Sequence, residues 1–152
     1  MNDLLIKARS DPPASIERSC PDCGTACALR IGEAHIRGQL KWFESVNCEV
    51  CGLRTEADGA GIAPAYIRDE LMKLQGTWCL QLVPVTSKVH AAQVLRESLG
   101  LDIGSSLQAV RSADGCVYSG TKTECLWLSE RLAQIGETPE ISPLTHTFIS
   151  AA

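Results

Sequence analysis

The chain has 152 residues, 45% of them hydrophobic and 21% charged, a balance that excludes wholesale disorder and allows one modest core or two small ones. Fourteen basic residues against eighteen acidic ones leave a net charge of −4, and residues 1–60 and 61–152 each carry seven basic and nine acidic groups, so neither half supplies a strongly basic face for nucleic acid. The apolar run "LLI" near the start is too short for a signal-peptide core, and no uncharged apolar stretch reaches the roughly 18 residues needed to cross a bilayer; the expectation is a soluble, cytoplasmic protein without a membrane segment.

Residues 1–16 include Pro12 and Pro13 and show little periodicity, and read as a flexible lead-in. The next segment, 17–61, contains "CPDCG" at Cys20–Gly24 and "CEVCG" at Cys48–Gly52. Between them the β-like runs "CALRIGEAH" and "QLKWFESV", joined by the turn-prone "IRG", predict a hairpin. The glycine-containing "EADGAG" closes the segment. Residues 62–76 read as a connecting helix, with Pro64 near its first turn where a missing donor is harmless.

Residues 77–141 carry a different pattern. "TWCLQLVPV" reads as a strand, and Ser87 caps a helix over "KVHAAQVLRESLG", with Val89, Ala92, Val94 or Leu95, and Leu99 as its apolar face and Gly100 as its stop. A short helix "SSLQAVRSA" introduced by Gly104 is followed by the stop Asp114-Gly115 and a brief strand "CVYSG". Thr121 and Glu124 form a capping-box pattern ahead of a helix with an apolar stripe at Leu126, Leu128 or Ser129, Leu132 and Ile135. "PEIS" is a candidate last strand, weakened by Pro139 and Pro143, and 142–152 is a tail. The fold class is α+β: a zinc-ribbon β-hairpin subdomain followed by a small helix-on-sheet domain of order β-α-α-β-α.

Two C-x2-C turns supply the four thiolates that a tetrahedral zinc requires, and Cys20, Cys23, Cys48 and Cys51 are the predicted ligands of one structural Zn2+. The 24 residues between Cys23 and Cys48 read as the hairpin, and the layout resembles a zinc ribbon over about residues 18–56. Cys27, four residues after Cys23, falls inside the predicted first strand and reads as a neighbour of the site or a core thiol. Neither pair precedes a helical pattern, which disfavours disulfide-exchange chemistry, and four thiolates leave no open position for a catalytic water. Cys79, Cys116 and Cys125 sit among apolar residues and read as buried reduced thiols.

His35, His90 and His146 are scattered over three segments, and no nucleophile or phosphate-loop motif is present, so no catalytic residue is assigned and an enzyme is not expected. Arg30, Arg37, Lys41 and Arg54, with Trp42 and Phe43, are the candidates for nucleic-acid contact, but Glu33, Glu44, Glu49, Glu56 and Asp58 occupy the same segment and cancel most of the phosphate attraction. Trp42 or Phe43 then covers the ribbon core, and Trp78 and Trp127 pack in the second core.

From "KVHAAQVLRESLGLDIGSSLQAV" to "VYSGTKTECLWLSERLAQIG", the second segment resembles the C-terminal domain of the bacterial ribosomal stalk protein. Val94, Arg96, Glu97, Gly100 and Leu101 match the family's first-helix ending, and Gly136 its last-helix stop. The resemblance implies a small α/β docking domain. It does not carry over the family's factor-binding lysines, because Gln93, Gly104 and Leu107 stand where those would fall. Together these readings predict a non-catalytic zinc-binding protein-interaction module, with the profile of a bacterial immunity protein that neutralises a basic toxin stoichiometrically. The alternative is a zinc-ribbon nucleic-acid-binding or transcription/translation accessory factor.

Overall fold

The computed structural model describes residues 13–111 and 115–144. Most of the expected lead-in and tail, together with His146 and Asp114, lie outside them. The architecture is mixed α+β, and the chain divides into two compact units between Leu74 and Gln75. No helix among the described residues is long and apolar enough to cross a membrane.

The first unit is a four-stranded antiparallel sheet in chain order: β1 (Ala14–Ser19), β2 (Ala26–Ile36), β3 (Gln39–Asn47) and β4 (Arg54–Ala60). The expected hairpin is β2–β3, whose pairing runs from Ala28↔Asn47 to Ile36↔Gln39. Its two-residue turn has Arg37 at φ 53° and Gly38 in the same left-handed region, the conformation that matches the twist of two paired strands. Two strands were not expected. β1 takes residues 14–16 out of the lead-in and pairs with β2, and β4 takes all but the last residue of "EADGAG" from a closing loop into an edge strand on β3.

Strand alternation sorts this sheet into two faces. Leu29, Ile31, Glu33 and His35 of β2 share one face with Leu40, Trp42, Glu44 and Val46 of β3. Helix α1 (Ala65–Gln75) packs on it, with Leu29, Ile31, Ala63, Ile67 and Leu71 forming the core and Ala14, Ile16, Trp42 and Val46 bordering it. The helix expected as a connector is thus a layer of the first unit's core. Two glycines let aromatic rings lie flat on the sheet. A Cβ at Gly32 would come within 2.6 Å of Phe43 Cε1, and one at Gly59 within 2.7 Å of Trp42 Cζ2.

The second unit runs β5 (Trp78–Gln81), α2 (Lys88–Leu99), α3 (Ile103–Val110), β6 (Cys116–Gly120), α4 (Lys122–Gln134) and β7 (Glu140–Pro143). Its antiparallel sheet has the order β6-β5-β7, so "PEIS" does complete it. Helix α4 packs against all three strands, and α2 packs against α3 and α4. Each start signal acts through a side chain. The Ser87 hydroxyl accepts from His90 N–H, and Thr121 and Glu124 form a full capping box; Gly100 closes α2 at φ 72°. Three expectations are corrected. Asp102, accepting from Ser105 N–H, starts α3 two residues before Gly104 is passed. Val89 is 68% exposed, and the buried face of α2 is Ala91, Ala92, Val94 and Leu95. Ile135 is 40% exposed, and α4 buries Cys125, Trp127, Leu128 and Leu132.

Candidate metal centre

The two C-x2-C segments fold as matching knuckles. Cys20 N–H donates to the Thr25 carbonyl at 2.8 Å and Gly24 N–H to the Cys20 carbonyl at 2.9 Å. Cys48 and Gly52 repeat this with Leu53 and Cys48, both at 2.9 Å. Gly24 and Gly52 sit at φ 74° and 81°, a conformation that a Cβ would strain. The first knuckle joins β1 to β2 where Ser19 pairs with Ala26, and the second joins β3 to β4 where Asn47 pairs with Arg54. Because Ala28 pairs with Asn47, the β2–β3 register delivers both knuckles to the same end of the sheet.

The result is a cluster of the four predicted ligands. Cys20 and Cys51 Sγ are 3.6 Å apart, Cys23 and Cys48 Sγ 3.7 Å, and all four lie within 4.8 Å of one another. Four thiolates about 2.3 Å from a central zinc define a tetrahedron with edges of about 3.8 Å, so the cluster is compatible with one structural ion. The first cysteine of each pair, Cys20 and Cys48, is buried, while Cys23 and Cys51 are exposed. A buried anchor and an outer partner from each knuckle fit a zinc ribbon.

The electrostatics are those of four thiols competing for charge. Cys23 is lowered to about 6 by the hydroxyl and the backbone amide of Thr25, whose Oγ1 is 3.2 Å from the sulfur. At Cys51 the backbone amide of Leu53 pulls the same way, but local desolvation of the sulfur by its neighbours and the Cys20, Cys48 and Cys23 thiols together push it up to about 12. Four sulfurs this close cannot all ionise by themselves, and a divalent cation removes the conflict. Cys27 is raised by burial and by its proximity to Cys20, Cys48 and Cys23, yet it stands outside the four-sulfur cluster. It borders a cleft of about 450 Å³ lined by Arg18, Glu44, Val46 and Tyr66. There the Arg18 guanidinium lies 5.7 Å from the Tyr66 ring centroid. Burial first, then the Glu44 carboxylate, raises the Tyr66 hydroxyl above its usual range.

Other candidates are dispersed. His35 is buried on the α1-covered face of β2, and His90 is exposed in the first turn of α2. Trp42 borders the α1 core and Phe43 lies over Gly32 on the opposite face. On that opposite face Arg30, Lys41 and Arg54 are interleaved with Glu17, Glu56 and Asp58, all exposed. One reading is overturned: Cys79 and Cys116 are not two reduced thiols but a bridged pair, with Cα atoms 5.9 Å apart. Cys125 is buried and takes no part in a disulfide, as expected. Sequence reasoning did not single out Thr25 and Leu53, each two residues after the outer cysteine of a knuckle, where their amides meet the sulfurs; that repeated offset was the available signal. No family model, no curated protein and no solved structure matches the chain.

Proposed function

We propose that the protein is a non-catalytic protein-interaction module, its ribbon held by one structural Zn2+, and that it binds a basic protein partner one to one in the manner of a bacterial immunity protein. The observation that carries this reading is the four-thiol cluster. With Cys20, Cys23, Cys48 and Cys51 all bound to it, a zinc ion has no coordination position left for water or substrate, so its work is to hold structure. It would tie the β1–β2 and β3–β4 hairpin ends together in a sheet too small to secure them by burial alone.

Charge favours a protein partner over a nucleic acid. The net charge of −4 complements a basic protein. Interleaving of acids with Arg30, Lys41 and Arg54 removes the run of uncompensated cations that phosphate binding draws on, and Trp42 is engaged with the core and not offered for base stacking. In the second unit, the order β-α-α-β-α with a following strand supports the stalk-like reading of a small domain used for docking.

The test is native mass spectrometry of the tagged full chain purified without added metal, with co-purifying partners retained. The proposal predicts one zinc per chain and a basic protein at unit stoichiometry. Recovery of ribosomes or salt-sensitive nucleic acid alone would move the accessory-factor reading ahead of it.

A further inference from the structure

The second unit brings together another pair of sulfurs, separate from the metal centre. Cys79 lies on β5, the central strand of its sheet, and is 2% exposed. Cys116 opens β6, an edge strand, and is half-buried. The 37-residue separation is closed by β5–β6 pairing, where the register shifts between Leu80 and Gln81 and sets Gln81 opposite Cys116. The Cα separation of 5.9 Å is in the middle of the range that a disulfide spans.

The two sulfurs differ in access. Cys116 borders an open depression of about 790 Å³ lined by Gly104, Ser105, Gln108, Ala109 and Arg111. Cys79, on the central strand, is buried. A reagent from solution therefore meets the bridge from the Cys116 side, beside an exposed guanidinium.

We propose that Cys79–Cys116 is a reversible dithiol–disulfide couple that exchanges through Cys116 with an anionic low-molecular-weight thiol of the glutathione class. The small thiolate attacks Cys116 Sγ, the protein S–S bond breaks, and its electron pair leaves on Cys79 Sγ, which takes up a proton. This leaves a mixed disulfide at Cys116, seated in the depression where Arg111 meets a carboxylate of the adduct. A second small thiolate attacks the small-molecule sulfur and releases Cys116 as a thiolate, which is protonated. One protein disulfide and two small thiols become two protein thiols and one small disulfide, with two electrons passed to the protein. The reverse sequence oxidises it. Reduction removes the covalent tie between the edge strand β6 and β5, leaving that edge to its ladder pairs and to its packing against α3 and α4. The proposal does not depend on the function proposed above.

The experiment equilibrates the full-length, zinc-loaded protein in glutathione buffers from fully reduced to fully oxidised. It is followed by acid quenching, alkylation and peptide mass spectrometry. The expected result is one two-electron transition between bridge and dithiol, with mixed disulfide on the Cys116 peptide at least tenfold above that on Cys79. Cys79→Ser accumulates a stable Cys116 adduct. Arg111→Ala slows adduct formation with glutathione several-fold but not with uncharged 2-mercaptoethanol. A bridge that persists in excess reduced glutathione, two thiols that persist in fully oxidised buffer, or an adduct on Cys79 would each overturn the couple. Equal slowing of both reagents, or of neither, by Arg111→Ala would overturn the assignment to an anionic thiol.

Discussion

Cys20 and Cys51, separated by 31 residues, hold their sulfurs 3.6 Å apart, while Cys23 and Cys48 hold theirs at 3.7 Å. Each close pair takes one sulfur from each knuckle, so a metal there cross-links two hairpins and does not merely close one loop. Cys48→Ser is therefore predicted to cost the whole ribbon, since structural zinc sites in small folding units carry about 10–16 kcal/mol of apparent binding free energy. Loss of zinc in native mass spectra and loss of amide protection throughout β1–β4 would be observed. Cys27→Ser, outside the cluster, keeps one zinc and the protection pattern; loss of the metal in that variant would make Cys27 a ligand.

Phe43 is accommodated because residue 32 has no side chain. Gly32→Ala places a methyl group into the ring, and overpacking of this kind costs about 1–3 kcal/mol. Denaturant unfolding should show the loss in the first unit, with the zinc stoichiometry unchanged. An unchanged midpoint would mean that Phe43 does not lie on the strand.

Glu137 is buried, and its carboxylate accepts from Thr86 N–H and Ser87 N–H, both at 2.9 Å, just ahead of α2. Removing it in Glu137→Ala leaves two amides without their charged acceptor, a loss of about 2–4 kcal/mol from the second unit by urea titration. Glu137→Gln retains one carbonyl acceptor and should lose about half as much. Equal stability of wild type and both variants would contradict this role of the Glu137 carboxylate.

Asp102 starts α3 by accepting from Ser105 N–H at 2.6 Å, and that bond holds its carboxyl below the usual range. A carboxyl depressed in the folded state contributes stability that is fully present above its unfolded value of about 3.9 and is lost as pH falls through the folded one. Acidification below about pH 4 should therefore weaken α3, read from the Ser105 amide shift and from unfolding midpoints. Asp102→Ala should flatten this part of the pH profile while lowering the neutral-pH plateau.

The paired C-x2-C segments were legible because a thiolate turn is a local event: four residues and a glycine suffice to write it. So were the caps at Ser87, Thr121 and Glu124, each acting within one turn of helix. The edge strands were not. β4 reads "RTEADGA", with nearly every residue exposed, and β1 has inward residues only at Ala14 and Ile16 with polar Arg18. Strands like these exist because a neighbour offers a ladder of hydrogen bonds, and charged edges are a common way to prevent further pairing. α1 was placed correctly, but its apolar positions alone do not say which sheet Ile67 and Leu71 cover. The Cys79–Cys116 bridge depends on the β5–β6 register, which no local spacing encodes. A helix face read from periodicity, as at Val89, is also ambiguous by one position until its packing partner is known.

The most direct test of the central claim is X-ray absorption at the zinc edge of the purified full-length protein. The account predicts a first shell of four sulfurs at about 2.3 Å and no lighter ligand. A shell containing nitrogen or oxygen, or a protein that carries no zinc and holds a Cys20–Cys23 or Cys48–Cys51 disulfide, would contradict it.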